Sequence, residues 1–126
     1  MAERNRLHPG LRALIYVSLL VLAATGVLWE LDVERALLMK IHGAAAMASL
    51  ILLGGLLARH VPAGWTARAN RTSGAALLAA SLWLITSGYA LYYSGSDVLR
   101  SFASQTHFWV GVAFVVTFGL HQRPTG

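Results

Sequence analysis

Four stretches of the chain carry no Asp, Glu, Lys or Arg: residues 13–29, 41–58, 72–96 and 101–122. A helix needs about 20 apolar residues to cross the hydrocarbon core of a bilayer, within a range of roughly 17–25. In that medium every backbone N–H and C=O must be paired within the protein, which restricts a spanning chain to helices or closed barrels. Four runs of this length, separated by short polar segments, predict an all-α fold: an integral membrane four-helix bundle. Composition agrees, with 56% of residues hydrophobic and 12% charged, where a soluble domain carries about 25% charged. A single transmembrane domain is expected over residues 1–126. Its helices 1 to 4 are expected at about residues 10–29, 36–60, 74–93 and 104–122.

The start of the chain has some features of a signal peptide: Arg4, Arg6 and Arg12, an apolar run, then Ala23 and Ala24. The run continues to Trp29, which is long for the apolar region of such a peptide, so a true first span is expected. Pro9 suits the first turn of helix 1, where its missing N–H would be unpaired anyway, and His8 precedes it. Pro62 is expected to end helix 2, because the residue before proline avoids helical geometry. That leaves a loop over residues 61–73. Residues 94–105 form the last connection, with 101–105 as a candidate first turn of helix 4. Trp29, Trp65, Tyr92 and Tyr93 read as interfacial anchors, and Thr86 and Ser87 as groups that bond within or between helices. Ala75, Ala76, Ala79, Ala80 and Ser81 allow close helix packing. No internal repeat is evident, although helices 2 and 4 share a layout of histidine near each end.

The net charge of +5 would suggest nucleic acid in a soluble protein. Here the basic residues cluster by side, as the positive-inside rule expects. Arg4, Arg6 and Arg12, then Arg59, Arg68 and Arg71, then Arg123 fall on one side. Arg35, Lys40 and Arg100 fall on the other. This places both termini in the cytoplasm, and no nucleic-acid partner is expected. The absence of cysteine excludes disulfides, thiolate-held iron–sulfur clusters and the covalent attachment of c-type haem.

All five histidines fall at the ends of predicted spans: His8, His60 and His121 on the cytoplasmic side, His42 and His107 on the outer side. Ionisable residues at membrane depth are functional candidates by default. His107 and His121 are separated by roughly 21 Å of helix rise and leave nearly the same side of helix 4. His60 follows His42 by five helical turns and shares its face, at a rise of roughly 27 Å. Histidines near both ends of one apolar face suggest two stacked haem groups, since imidazole is an axial ligand of haem iron. His42 and His107 form the clearer pair, with Ala45, Ala46 and Gly111 leaving room a turn further on. The inner site has His121, with His60 as the preferred partner and His8 as the alternative. Zinc is a competing reading for the trio His8, His60 and His121, because zinc gathers three or four ligands at one centre. Arg59, Arg68 and Arg71 are candidates to pair with haem propionates, although each reads first as a topology determinant.

These residues resemble the bacterial cytochrome b561 family and, more loosely, the cytochrome b subunits of nickel–iron hydrogenases and formate dehydrogenases. The resemblance rests on Leu38-Met39-Lys40-Ile41-His42 opening helix 2, on the His107/His121 spacing and on the Thr25-Gly26 ending of helix 1. It implies a four-helix bundle with two b-type haems, one per side, each held by two histidines. It also implies electron transfer between a quinone pool and a redox partner subunit or soluble carrier at the membrane surface. Under it His107 pairs with His42, and His121 with a histidine of helix 1. The family's helix 1 histidine tends to lie about 14 residues before the Gly of the Thr-Gly ending. That position is Arg12 here, with His8 a turn further out.

The expected function is therefore that of a di-haem electron-transfer subunit of a quinone-linked oxidoreductase, in the bacterial cytoplasmic membrane. A homodimer is a candidate assembly. The competing classes are a haem-free structural or assembly subunit and a transporter of haem or metal.

Overall fold

The structure is a computed structural model, and it describes residues 7–68 and 70–122. Arg4, Arg6 and Arg123, which enter the charge asymmetry, lie outside the described residues. The chain forms four helices, α1 (Pro9–Glu30), α2 (Arg35–Thr66), α3 (Arg71–Tyr93) and α4 (Asp97–His121). No strand occurs among the described residues. All four are long and apolar enough to cross a membrane. The chain divides between residues 69 and 70 into two compact units. One is the hairpin of α1 and α2, the other the hairpin of α3 and α4.

In the first hairpin, Pro9 opens α1 and His8 caps it, its Nδ1 accepting the Gly10 amide at 3.2 Å. The turn after Glu30 is tight and uses left-handed backbone at Asp32 (φ 60°) and Glu34 (φ 29°). Arg35 fastens this turn, 2.8 Å from the Asp32 carboxylate and stacked over the Trp29 ring at 5.4 Å. A cation on an aromatic face at a membrane boundary suits both the ring quadrupole and the wet interface.

Proline does not end α2. The helix runs through Pro62 to Thr66, so the expected loop over 61–73 shrinks to residues 67–70. Proline already has helical φ, and its cost is one missing N–H and crowding against the preceding turn. Here that loss falls little more than a turn from the end of the helix, and Thr66 Oγ1 donates to the Pro62 carbonyl at 2.9 Å. The true end lies at Ala67 and Arg68, where Arg68 turns left-handed (φ 56°). A 32-residue helix is roughly 48 Å long, against roughly 30 Å of hydrocarbon. The excess length covers the segment that carries Arg59, His60 and Trp65.

In the second hairpin, α4 begins at Asp97, before the expected first turn at 101–105. Ser96 is the cap, its Oγ accepting the Leu99 amide at 3.3 Å, and Asp97 complements the positive end of the helix. The connection is only Ser94, Gly95 and Ser96. Trp83 and Phe102 meet edge to face at 6.2 Å across the hairpin. Tyr89, Tyr92 and Tyr93 form an aromatic group at the end of α3, in the place expected of a membrane-boundary belt. At the other end Asn70, in left-handed geometry, caps α3 and donates through Nδ2 to the His121 carbonyl at 3.2 Å. That bond ties the start of α3 to the end of α4 and satisfies a carbonyl the helix terminus leaves over.

Candidate functional site

Among the described residues only five are buried, and two of them are hydroxyl residues, Thr25 (6% exposed) and Ser87 (4%). An unpaired hydroxyl in an apolar interior costs free energy, so burial of these two demands partners. Each has one on its own helix and one across the hairpin. Thr25 Oγ1 donates to the Val21 carbonyl at 2.7 Å and lies 2.8 Å from Nδ1 of His42. Ser87 Oγ donates to the Trp83 carbonyl at 2.7 Å and lies 2.8 Å from Nδ1 of His107.

A third pair follows the same plan at the far end of the second hairpin. Ser73 Oγ lies 2.8 Å from Nδ1 of His121 and donates to the Asn70 carbonyl at 3.2 Å. Ser73 sits in the first turn of α3, where no carbonyl one full α-turn back belongs to the helix, so it reaches three residues back instead.

These distances bear on the direction of the proton. A hydroxyl has one hydrogen to give. At Thr25 and Ser87 a backbone carbonyl at 2.7 Å competes for it, which favours Nδ1–H donating to the hydroxyl oxygen. The tautomer with hydrogen on Nδ1 carries its lone pair on Nε2. The backbone of Leu22 also hydrogen-bonds the His42 ring. At Ser73 the competing carbonyl is further away, and the same preference is weaker.

His8 is the reverse case. Its Nδ1 accepts a backbone N–H, so its neutral ring carries hydrogen on Nε2. It is an exposed helix cap. His60 is half-buried in the second half of α2 and makes no side-chain hydrogen bond among the described residues. The five histidines thus separate into three held by hydroxyls through Nδ1, one cap, and His60.

The residues around each held ring are alike. Leu38 lies one turn before His42, Ala103 one turn before His107, and both are buried. Gly111, one turn after His107, faces Leu84 of α3, where an added Cβ would sit 3.9 Å from Cδ2. That is an ordinary van der Waals distance, so an alanine would fit there. Of the three arginines considered for propionates, Arg59 and Arg68 are exposed, and Arg71 is half-buried as the first residue of α3. Among the described residues no three His, Cys, Asp or Glu side chains converge as a metal-ion site, so no zinc-type centre is assembled there. Haem iron asks less of the protein, two imidazoles being enough.

Sequence reasoning found every one of these histidines but not the serine that holds His121. Ser87 was expected to bond within or between helices, and it does both. The signal for Ser73 was present as a repeated dipeptide, Ser73-Gly74 and Ser87-Gly88, with the same spacing as His121 and His107 on the opposite strand of the hairpin. No protein-family model matches the chain, and neither does any curated protein or solved structure.

Proposed function

We propose that the chain is a b-type membrane cytochrome of the cytochrome b561 kind. It resides in the bacterial cytoplasmic membrane with both termini in the cytoplasm. It carries electrons across the bilayer between a quinone pool and a redox partner at the membrane surface. The observation that carries this reading is that His42, His107 and His121 each hydrogen-bond through Nδ1 to a hydroxyl. That arrangement directs the Nε2 lone pair to the role of metal ligand, and a hydrogen-bonded second nitrogen is the usual condition of a ligating imidazole.

The donor set fits haem b. The imidazoles stand on helices that are apolar and uncharged over their central turns. No thiolate is available to attach the group covalently. His107 and His121 are separated by roughly 21 Å along α4, too far to serve one iron, so two haems are proposed, which need four imidazoles, His60 supplying the fourth beside His42, His107 and His121. Haem supplies an iron that exchanges single electrons. The protein's own part is to hold the imidazoles, to keep their protons on Nδ1 and to exclude water with apolar helix faces. Two histidines on one iron leave no position for substrate, so the role is electron relay, and a quinone binds elsewhere on the protein.

A reduced-minus-oxidised optical spectrum of the purified full chain supplied with haem, with haem quantified per polypeptide, tests the reading. Two haems per chain with sharp low-spin b-type bands are expected. A folded preparation that takes up no haem would overturn the reading and favour a structural or assembly subunit.

A further inference from the structure

The second hairpin repeats one arrangement at its two ends. Ser73-Gly74 meets His121 and Ser87-Gly88 meets His107, with serine on Nδ1 in each case. A Cβ built on Gly88 would touch Cε1 of His107 at 3.5 Å, and one on Gly74 would touch Cε1 of His121 at 3.6 Å. Each ring therefore lies along bare α3 backbone with a hydroxyl at its edge. The first hairpin uses Thr25-Gly26 opposite His42. There a Cβ on Gly26 would meet nothing within 4 Å, so the hydroxyl alone is shared by all three.

We infer that Thr25, Ser73 and Ser87 are positioning residues that hold His42, His121 and His107 in the Nδ1–H tautomer. Through the strength of that hydrogen bond they also set how strongly Nε2 donates to a metal. The first half of this inference concerns the protein alone. The second half rests on the haem reading.

Three features of the geometry separate it from a merely structural bond between helices. A structural bond works with either nitrogen tautomer, whereas here the proton of Thr25 and of Ser87 is already committed to a carbonyl at 2.7 Å. The commitment is graded, since Ser73 reaches its carbonyl only at 3.2 Å, so the bias is least at His121. His8 provides an internal reference of the opposite sense, because its Nδ1 accepts. Hydrogen bonding at the far nitrogen is a recognised lever on ligand basicity and on the redox potential of bound iron. A hydroxyl that has already given its own proton to a carbonyl is the stronger acceptor, because such chains polarise cooperatively.

Nitrogen-15 spectra of the full chain, labelled at histidine and free of haem in detergent micelles, report which ring nitrogen carries hydrogen. Nδ1–H is expected at His42 and His107, a mixture weighted to Nδ1–H at His121, and Nε2–H at His8. Ser87→Ala should shift His107 several-fold toward Nε2–H and leave His42 unchanged, while Ser87→Thr keeps the wild-type tautomer. With haem bound, Ser87→Ala should raise the midpoint potential of one haem, and Ser87→Thr should restore it. If Ser87→Ala does not fold, Thr25→Ala puts the same question to His42. Persistence of Nδ1–H at the affected ring in either alanine variant overturns the inference. The tautomers as stated in a chain that binds no haem would leave the positioning role standing and defeat the haem reading.

Discussion

The two hairpins are built alike and equipped differently. Each joins two long apolar helices by a short turn, and each places a buried hydroxyl of its first helix against a histidine in the first half of its second. The α3–α4 hairpin adds a second hydroxyl–histidine contact, made by the half-buried Ser73 at the end of α4. Four turns inward from His107 comes His121, met by Ser73. Four turns inward from His42 comes Leu56, and the same step back from Thr25 reaches Leu11. The midpoints differ as well. Two turns inward from His107 lies Phe114, which stacks on Phe118. Two turns inward from His42 lies Ser49, whose hydroxyl is buried without a hydrogen-bond partner among the described residues. One hairpin therefore carries two hydroxyl-held imidazoles separated by an aromatic filler. The other carries one, with His8 capping α1 and His60 making no side-chain hydrogen bond among the described residues. Spacing alone does not give both pairs the same setting: His42 and His60 share a face as His107 and His121 do, but only three of the four have a hydroxyl on Nδ1.

The comparison breaks first at the histidines. His107→Ala and His121→Ala should each remove one of two haems, and His42→Ala should remove one as well, read as haem per polypeptide. If His121→Ala leaves haem content intact, the doubled equipment of the second hairpin has no function.

Next come the hydroxyls. Thr25→Ala and Ser87→Ala each leave an imidazole N–H to find another partner in an apolar setting, and should lower stability by about 1 kcal/mol, up to roughly 2. Ser73→Ala should cost less, because its own carbonyl bond is longer. Unfolding in mixed micelles gives the ranking, and equal losses at all three would remove the gradation argued from distances.

His8→Ala separates capping from ligation. Loss of an N-cap costs about 1 kcal/mol and should show as faster exchange of the Gly10 amide with haem content unchanged. Loss of a haem instead would return His8 to the ligand set.

The smallest effect is expected at Ser49. Replacing it with alanine removes a buried, unpaired hydroxyl and should be neutral or slightly stabilising. A loss of more than about 1 kcal/mol, large for a substitution without a lost partner, would mean that the hydroxyl is occupied in the membrane.

Much of this molecule is legible in its sequence because the bilayer imposes so strict a rule. The four uncharged runs mark the four helices, and the histidines stand out within or beside those runs. Helix ends are less legible. Pro62 signals a stop, yet near a C-terminus it forfeits only one bond. Asp97 was passed over because the uncharged run begins after Arg100, whereas the helix begins at the Ser96 cap. The hydroxyl partners were hardest to read. Serine in an apolar helix most often bonds the preceding turn, as Ser81 does with Leu77. Nothing local distinguishes Ser87, which bonds back in the same way and also meets His107. That distinction comes only from the antiparallel register of α3 against α4.

The central claim is that the hydroxyl-held imidazoles are iron ligands. It is tested most directly by electron–nuclear double resonance on the oxidised, haem-loaded chain labelled with nitrogen-15 at histidine. Low-spin ferric signals coupled to labelled histidine nitrogens, with one species absent in His107→Ala, are the result the proposal predicts. High-spin iron without histidine coupling, or a spectrum unchanged in that variant, would contradict it.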